Sequence, residues 1–220
     1  MERDFRQYVL HHYNRAASYY DIIEFIRKGT RPKVIEMSGW QPGEKVLDIC
    51  TGTGDLALAF GRLGAEVVGV DIAENMLQRA AAKSNGEYIT WLKMDATELQ
   101  FPENSFDVTT LSLALHHMPE STQHQVLSEI ARVTRRKVVL VEPHQPFAKW
   151  KHAIWGFIAS FVDKSEYMPQ WVRQNFNQTC YNAGLKVEEI RVTTLAIHRL
   201  TACKPMTVRP EASGVVREKW

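Results

Sequence analysis

The chain has 220 residues, 45% of them hydrophobic, which is enough to bury the core of one α/β domain and favours one domain over two. Its 27 basic and 25 acidic side chains leave a formal net charge of +2, a balance that argues against nucleic acid as a main partner. The three cysteines, Cys50, Cys180 and Cys203, have neither a metal-binding spacing nor an even count, so we expect reduced thiols in a cytoplasmic protein and no metal site.

The N-terminal 40 residues are predicted to form a helical lid over the rest of the domain. The stretch 5–26 has a helical pattern, and Tyr13 and Tyr20 fall on one face of that helix. Tyr20 is therefore placed to face a site beneath the lid, whereas Tyr19 is expected to pack the helix onto the sheet.

An apolar strand runs into an acid and a glycine turn at residues 46–54, which read Val-Leu-Asp-Ile-Cys-Thr-Gly-Thr-Gly. Gly52 and Gly54 lack a Cβ and let the backbone come close to a ligand, and the free amides of the helix that follows form a partly positive cradle. Asp71 ends the next predicted strand about 20 residues past the glycines, the spacing at which an acid accepts hydrogen bonds from both ribose hydroxyls. Together these features predict a Rossmann-like nucleoside site.

Two kinds of ligand are compatible with this pattern. Residues 52–57 match the G-x-G-x-x-G/A fingerprint of dinucleotide sites, so a nicotinamide or flavin enzyme is one alternative. Against it, Asp95 ends a third predicted strand, where it can accept a hydrogen bond from an adenine amino group, and Asp48 stands just before the glycine loop. Three acids, with no basic residue in the loop, suit a ligand with positive charge better than a pyrophosphate.

The remaining elements alternate in the order that gives a mostly parallel, doubly wound sheet with helices on both faces. Predicted strands lie near 45–50, 66–71, 88–93, 106–112, 137–142, 186–194 and 197–203, and predicted helices near 55–63, 74–83, 120–134 and 169–183. The last two strands follow each other directly, which fits a closing antiparallel hairpin. The predicted fold class is therefore a Rossmann-like α/β fold with a seven-stranded sheet, a C-terminal antiparallel hairpin and an N-terminal helical lid.

In this order, the motifs over residues 40–142 resemble those of the class I S-adenosylmethionine-dependent methyltransferases. They are Val46-Leu47-Asp48 with Thr51-Gly52-Thr53-Gly54, Gly69-Val70-Asp71 with Glu74-Asn75-Met76-Leu77, Met94-Asp95-Ala96, Phe106-Asp107, and Leu113-Ala114-Leu115-His116-His117-Met118. The resemblance implies S-adenosyl-L-methionine as the cofactor, with the amino group of its methionine moiety at Asp48. The implied cofactor-binding residues are Asp48, Thr51, Gly52, Thr53, Gly54, Asp71, Ile72, Met76, Asp95, Ala96 and Leu113, with Ile72 and Met76 covering the adenine faces.

More narrowly, the ends of the chain resemble the ubiquinone and menaquinone biosynthesis C-methyltransferases. The similar residues are Tyr20-Asp21, Gly29 and Arg31 near the start, and Ala196-Ile197-His198 near the end. Three places depart from that pattern. Cys50 replaces the first loop glycine, His116-His117 replace an Arg-Asn pair, and residues 134–137 replace a Lys-Pro-Gly-Gly turn, where we expect a shortened surface turn.

Two adjacent histidines follow the fourth predicted strand, at the carboxyl edge of the sheet where open α/β folds bind ligands. An imidazole there could remove a proton from a phenol, enol or hydroxyl nucleophile near neutral pH, so His116 and His117 are candidate catalytic residues. On extended backbone their side chains would point in opposite directions, so we expect one of them to be structural and the pair not to bind a metal. Tyr20 is the third catalytic candidate, because a tyrosine near the sulfonium is electrostatically favourable. The other histidines, His198 among them, are expected to have surface or packing roles.

The most apolar stretch of the chain is residues 150–162, in the segment that shapes the acceptor pocket of this family. Its bulky residues recur at helical spacing, which predicts a helix that either covers the core or rests its basic, tryptophan-bearing start at a membrane interface. It therefore indicates a hydrophobic acceptor. No run approaches the ~20 apolar residues of a spanning helix, and the N-terminus lacks a signal-peptide core, so we expect a cytoplasmic protein with peripheral membrane contact at most.

The sequence thus predicts an enzyme that methylates a hydrophobic small molecule, with a quinone precursor as the first acceptor to test. A phospholipid or another small O- or N-nucleophile is the alternative acceptor. A nicotinamide-dependent oxidoreductase and an inactive cofactor-binding partner subunit are the other functional alternatives. One methyltransferase domain is predicted over 1–220, with a lid (1–40), a cofactor-binding core (41–142), a substrate-pocket insertion (143–168), a closing helix and hairpin (169–204) and a tail (205–220).

Overall fold

The computed structural model describes residues 29–144, 166–193 and 198–207. Its strands are β1 (Lys45–Ile49), β2 (Glu66–Asp71), β3 (Ile89–Lys93), β4 (Phe106–Ser112), β5 (Thr134–Pro143), β6 (Leu185–Val192) and β7 (His198–Pro205). Its helices are α1 (Arg31–Ser38), α2 (Asp55–Gly61), α3 (Glu74–Lys83), α4 (Glu120–Val133), α5 (Met168–Arg173) and α6 (Phe176–Asn182), with one 3-10 turn at Leu115–His117. None of these helices is long and apolar enough to cross a bilayer.

The strands form one sheet in the order β3-β2-β1-β4-β5-β7-β6. Strands β1 to β5 pair in parallel, and β7 is antiparallel to both of its neighbours, β5 and β6. This confirms the predicted mostly parallel seven-stranded sheet with an antiparallel C-terminal hairpin. The direction of strand order reverses between β1 and β4, and open α/β sheets bind ligands outside the carboxyl ends of the strands at such a point.

Helices cover the sheet on both faces, which is why its parallel strands are apolar on both sides. Val46 and Leu47 are adjacent in β1, yet they belong to separate core clusters because successive side chains of a strand point to opposite faces. Val46 packs in the cluster that contains Phe60 of α2, whereas Leu47 packs in the cluster that contains Leu127 of α4 and Trp171 of α5. Burial of each such side chain stabilises the fold by roughly 1.5–3 kcal/mol.

Residues 169–183 do not form the single helix that was predicted. The chain breaks into α5 and α6, because the Asn175 side chain accepts a hydrogen bond from the Gln178 amide at 3.3 Å and starts a new helix. The other predicted strands and helices of the described segments are present, with their bounds moved by a few residues.

The surface turn expected at residues 134–137 is also absent. Strand β5 begins directly where α4 ends, and Thr134 pairs with Phe106 of β4. The Thr134 hydroxyl donates to the Ile130 carbonyl at 2.6 Å, which satisfies the end of α4 without a connecting loop.

Several predictions concern residues outside the described ones. These are the lid helix with Tyr13 and Tyr20, the apolar stretch 150–162 and most of the tail. The predicted division of the domain into parts stays a prediction.

Candidate active site

Two adjoining cavities open at the carboxyl edge of the sheet. One has a volume of about 460 Å³ and lies at the ends of β1 to β4. The other has a volume of about 60 Å³ and is reached by residues of α1, β1, α2 and β7. Both are lined by Cys50, Gly52, Ser112 and Leu113. They therefore form one two-part site at the point where the strand order reverses, the place where such folds bind ligands.

Two non-glycine residues of this shared lining have a left-handed backbone. Cys50 has a φ of 53° and Leu113 a φ of 55°, a conformation that costs a non-glycine residue on the order of 1–3 kcal/mol. The Leu113 amide donates to the Val141 carbonyl at 2.7 Å, which holds its turn in place. Cys50 thus has a conformation that glycine adopts readily. Burial, together with nearby carboxylates, holds the pKa of its thiol well above the usual value, so Cys50 stays protonated and is a poor nucleophile.

The two loop glycines have different surroundings. Gly52, with a φ of 56°, lines both cavities. Gly54, with a φ of 79°, lines neither, and a Cβ there would lie 2.5 Å from the ring of Trp91 and 2.8 Å from the Cβ of Ala80. A ligand contact by Gly54 therefore stays a prediction. Its missing Cβ makes room for side chains beneath the loop.

Asp71 lies at the larger cavity and connects two backbone segments. Its Oδ2 accepts a hydrogen bond from the Gly52 amide at 2.8 Å, and its Oδ1 accepts one from the Ala73 amide at 2.8 Å. Burial raises the pKa of Asp71, and these two amide bonds oppose that effect. The Ile72 amide also bonds this carboxylate, which has about four acceptor sites in all, so a ribose hydroxyl can still donate to it. The side chain therefore both shapes the turn before α3 and faces the cavity.

The other predicted nucleoside residues are brought to the same cavity from three strand ends. Asp95 follows β3, and its Oδ1 accepts hydrogen bonds from the Thr97 amide at 2.9 Å and the Thr97 hydroxyl at 2.7 Å. These bonds fix the carboxylate in a turn at the edge of the cavity. The larger cavity is lined by Asp71, Ile72, Met76, Asp95, Ala96 and Leu113 of the predicted set.

Asp48 lies at the smaller cavity and is only 2% exposed. Its carboxylate accepts hydrogen bonds from the Thr51 hydroxyl at 2.5 Å and the Thr110 hydroxyl at 2.7 Å. Burial raises the pKa of Asp48 to about 6, and the two hydroxyl bonds offset this only in part. A buried carboxylate of this kind gains most from a cationic partner, such as an ammonium group.

Two further side chains complete the smaller cavity. Thr53 is buried, and its hydroxyl has no hydrogen-bond partner among the described residues. Arg31 of α1 also lines this cavity, and its Nη2 lies 3.0 Å from Oδ2 of Asp55. The cavity thus offers a buried carboxylate and an unused hydroxyl to an amino-acid moiety, beside a guanidinium that is paired with Asp55. The sequence indicated Arg31 only through a family resemblance and not as a site residue.

The two histidines occupy different positions. They lie in a 3-10 turn, so their rings are 4.0 Å apart and the prediction of opposite directions on extended backbone is wrong. His117 lines the larger cavity. His116 is 2% exposed and lines neither cavity, and its Nδ1 lies 2.6 Å from Oε2 of Glu142. The geometry therefore separates a cavity-facing imidazole from a buried one.

Glu142 was missed by the sequence analysis. It is near the end of β5, is 1% exposed, and its Oε1 accepts hydrogen bonds from the amides of Ala114 at 3.1 Å and Leu115 at 2.9 Å. With the bond to the buried histidine ring, these contacts hold the turn that presents His117 to the cavity. The sequence feature that could have identified Glu142 is an acid at the end of a predicted apolar strand.

His198 was expected to have a surface or packing role, but it lines the smaller cavity. The reason is the register of β7, in which His198 pairs with Pro143 and thus lies at the carboxyl edge of β5. No group of three or more metal-ligating side chains occurs in the described part of the chain.

Comparison with known proteins agrees with this architecture. A family model for a methyltransferase domain matches residues 46–137. The chain is 37% identical over 142 residues to the ubiquinone/menaquinone biosynthesis C-methyltransferase UbiE of Bdellovibrio bacteriovorus, a match covering 61% of this chain and 57% of that protein. It is 31% identical over 170 residues to a demethylmenaquinone methyltransferase of Staphylococcus aureus, covering 70% of each chain. The chain thus spans less than two thirds of the first relative's length.

A solved structure is similar over most of the fold. The magnesium protoporphyrin IX methyltransferase of Synechocystis, with bound SAH, superposes with a TM-score of 0.62 at 20% identity, covering 84% of this chain and 87% of that one. At this identity the likeness concerns the fold alone. Three observations point to the same family. They are the strand order, the acids at three strand ends and the similarity to the Staphylococcus enzyme. The chain belongs to the S-adenosylmethionine-dependent methyltransferase family.

Proposed function

We propose that this chain transfers a methyl group from S-adenosylmethionine to a hydrophobic acceptor of the quinone-precursor class. The observation that carries the proposal is the division of the site into two adjoining cavities with different polar groups. The larger has Asp71 and Asp95 for a ribose and an adenine, and the smaller has Asp48 and Thr53 for an amino-acid group. S-adenosylmethionine has the same two halves, joined at the sulfonium.

The residues of the smaller cavity match the methionine half. The ammonium group would neutralise the buried Asp48 carboxylate, and the Thr53 hydroxyl, which has no partner among the described residues, would gain one. Residues shared by both cavities, such as Cys50 and Leu113, are the ones expected nearest the sulfonium. A dinucleotide would instead place a pyrophosphate close to these carboxylates, which is electrostatically unfavourable.

When bound, the cofactor supplies an electrophilic methyl group on its sulfonium. The protein's part is mainly to align the acceptor with that group and to exclude water, which can contribute roughly 7–11 kcal/mol to lowering the barrier. His117 is proposed to accept the proton that a phenolic acceptor loses, because it is the histidine that faces the larger cavity. His116 is proposed to have a structural role, and Tyr20 remains a predicted side chain of the acceptor pocket.

The proposed acceptor follows from the relatives. The two reported enzymes are named for ubiquinone/menaquinone biosynthesis and for demethylmenaquinone. A prenylated quinone precursor is also consistent with the apolar stretch predicted at 150–162. Such an acceptor partitions into lipid, so we propose peripheral membrane contact by the same segment.

Calorimetric titration of the chain with S-adenosylhomocysteine and with NAD tests the cofactor. Micromolar binding of the first and none of the second is expected, and tight NAD binding alone would refute the proposal. The acceptor is tested by incubating the chain with labelled S-adenosylmethionine and either the reduced, phenolic form of demethylmenaquinone, a phospholipid or polar metabolites. Label in the quinone supports the proposed acceptor, whereas label only in polar metabolites contradicts it. Cofactor binding with no transfer from the isolated chain would instead indicate a partner subunit.

A further inference from the structure

The side chain of Trp91 lies beneath the glycine loop and lines neither cavity. Trp91 is on β3, at the edge of the sheet, and its indole N–H donates to the Ser84 hydroxyl at 3.2 Å. A Cβ on Gly54 would lie 2.5 Å from Cη2 of the indole, and a Cβ on Gly69 would lie 2.5 Å from its Cε3. One ring therefore contacts the backbone of the loop and the backbone of β2, and at both places it leaves room only for glycine.

These two contacts flank the hydrogen bond that holds the predicted ribose acid. Gly69 precedes Asp71 by two residues in β2, and Gly54 follows Gly52 by two residues in the loop. The Gly52 amide donates to Oδ2 of Asp71 at 2.8 Å. The indole thus spans the two backbone segments whose separation sets the length of that bond.

We propose that Trp91 is a positioning residue for the cofactor, because its indole sets the spacing between the glycine loop and Asp71. The inference rests on the proposed assignment of the larger cavity to the nucleoside. A smaller side chain leaves a void beneath both segments, and the loop then has to be ordered during binding. Because the glycine loop is part of the cofactor site, substitution of Trp91 lowers the affinity for the cofactor. Trp91 lines neither cavity, so its substitution removes no direct contact with a ligand. The Michaelis constant for the acceptor and the turnover at saturating cofactor stay unchanged.

The test compares Trp91→Leu with a matched control, Trp40→Leu. Trp40 and Trp91 both pack against the core cluster that contains Val46 and Phe60. The Trp40 indole N–H also donates a hydrogen bond, to the Glu44 carbonyl at 3.0 Å. We expect Trp91→Leu to weaken S-adenosylhomocysteine binding about tenfold by calorimetry, and Trp40→Leu to change it by less than about twofold. Trp91→Phe keeps an aromatic ring beneath the loop, so it should retain most of the affinity, and a tenfold loss in this variant would contradict the inference. If Trp91→Leu does not fold, Gly69→Ala, which should displace the indole, replaces it as the variant expected to lose affinity.

The variant Gly69→Ala provides a second, independent test of the proposal. Gly69 does not have a positive φ, so a methyl group there meets mainly the indole, with Cγ2 of Thr51 at 3.3 Å. Alone, Gly69→Ala should displace the ring and weaken binding. In the Trp91→Leu background it should cause little further loss, because the colliding ring is gone.

Three other results would overturn the inference while the wild-type chain still binds S-adenosylhomocysteine. They are an unchanged affinity in Trp91→Leu, equal losses in Trp91→Leu and Trp40→Leu, and fully additive losses in the Gly69→Ala and Trp91→Leu pair. Absence of binding by the wild-type chain would refute the proposed function itself.

Discussion

Replacement of Asp48 by asparagine tests the electrostatics of the smaller cavity. Burial raises the pKa of Asp48 from 3.8 to about 6. The Asp48 carboxyl therefore binds its proton more tightly in the folded protein than in the unfolded chain. Protonation of Asp48 stabilises the fold fully below pH 3.8, and this stabilisation is lost as the pH rises through 6. The whole difference corresponds to about 3 kcal/mol, and the part lost between about pH 5 and about pH 7.5 is about 1.4 kcal/mol.

Asparagine has nearly the same shape as aspartate and can still bond the Thr51 and Thr110 hydroxyls, but it does not titrate. Urea unfolding of both proteins across this pH range should show the wild type losing about 1.4 kcal/mol more stability than Asp48→Asn. Because both proteins contain the same other titratable groups, the comparison cancels the pH dependence that those groups cause. One of them is His144, whose pKa is lowered by burial, so that it makes the fold more stable as the pH rises. Parallel pH profiles of the two proteins would refute the reasoning.

Four other results are expected. The affinity for S-adenosylhomocysteine should rise about tenfold between about pH 5 and about pH 7.5 in the wild type, because the ammonium group of the ligand binds the ionised Asp48 carboxylate. In Asp48→Asn the affinity should stay level, and level calorimetric affinities in both proteins would contradict this expectation. Asp71→Asn should weaken cofactor binding by about 1–3 kcal/mol through lost ribose bonds, and a calorimetric change below about 0.5 kcal/mol would argue against the ribose role. His117→Ala should lower turnover by about two to four orders of magnitude with cofactor affinity nearly unchanged, whereas His116→Ala should mainly lower the melting temperature; the reverse pattern would exchange their roles. Glu142→Gln alters the carboxylate that bonds the Ala114 and Leu115 amides and the His116 ring, and it should lower the free energy of unfolding by about 1–3 kcal/mol in urea. An unchanged midpoint would show that these bonds do not hold the turn.

Much of the fold could be predicted because it depends on local patterns. Apolar strands that alternate with amphipathic helices specify a parallel sheet, and a strand end is recognisable from the acid or glycine that follows it. Asp71 and Asp95 were identified in this way, each from the end of its own strand. The helix break at Asn175 and the direct start of β5 at Thr134 were missed because each depends on a single side-chain hydrogen bond at a helix end.

The division of roles within the site was decided by tertiary structure. Gly52 and Gly54 are equivalent in sequence, but a Cβ on Gly54 would collide with Trp91, which comes from β3, two strands away from β1 in the sheet. His116 and His117 are neighbours, yet a carboxylate from β5 buries one ring and leaves the other at the cavity. Local periodicity determines which backbone element a residue belongs to, whereas exposure of its side chain depends on what distant segments pack against it.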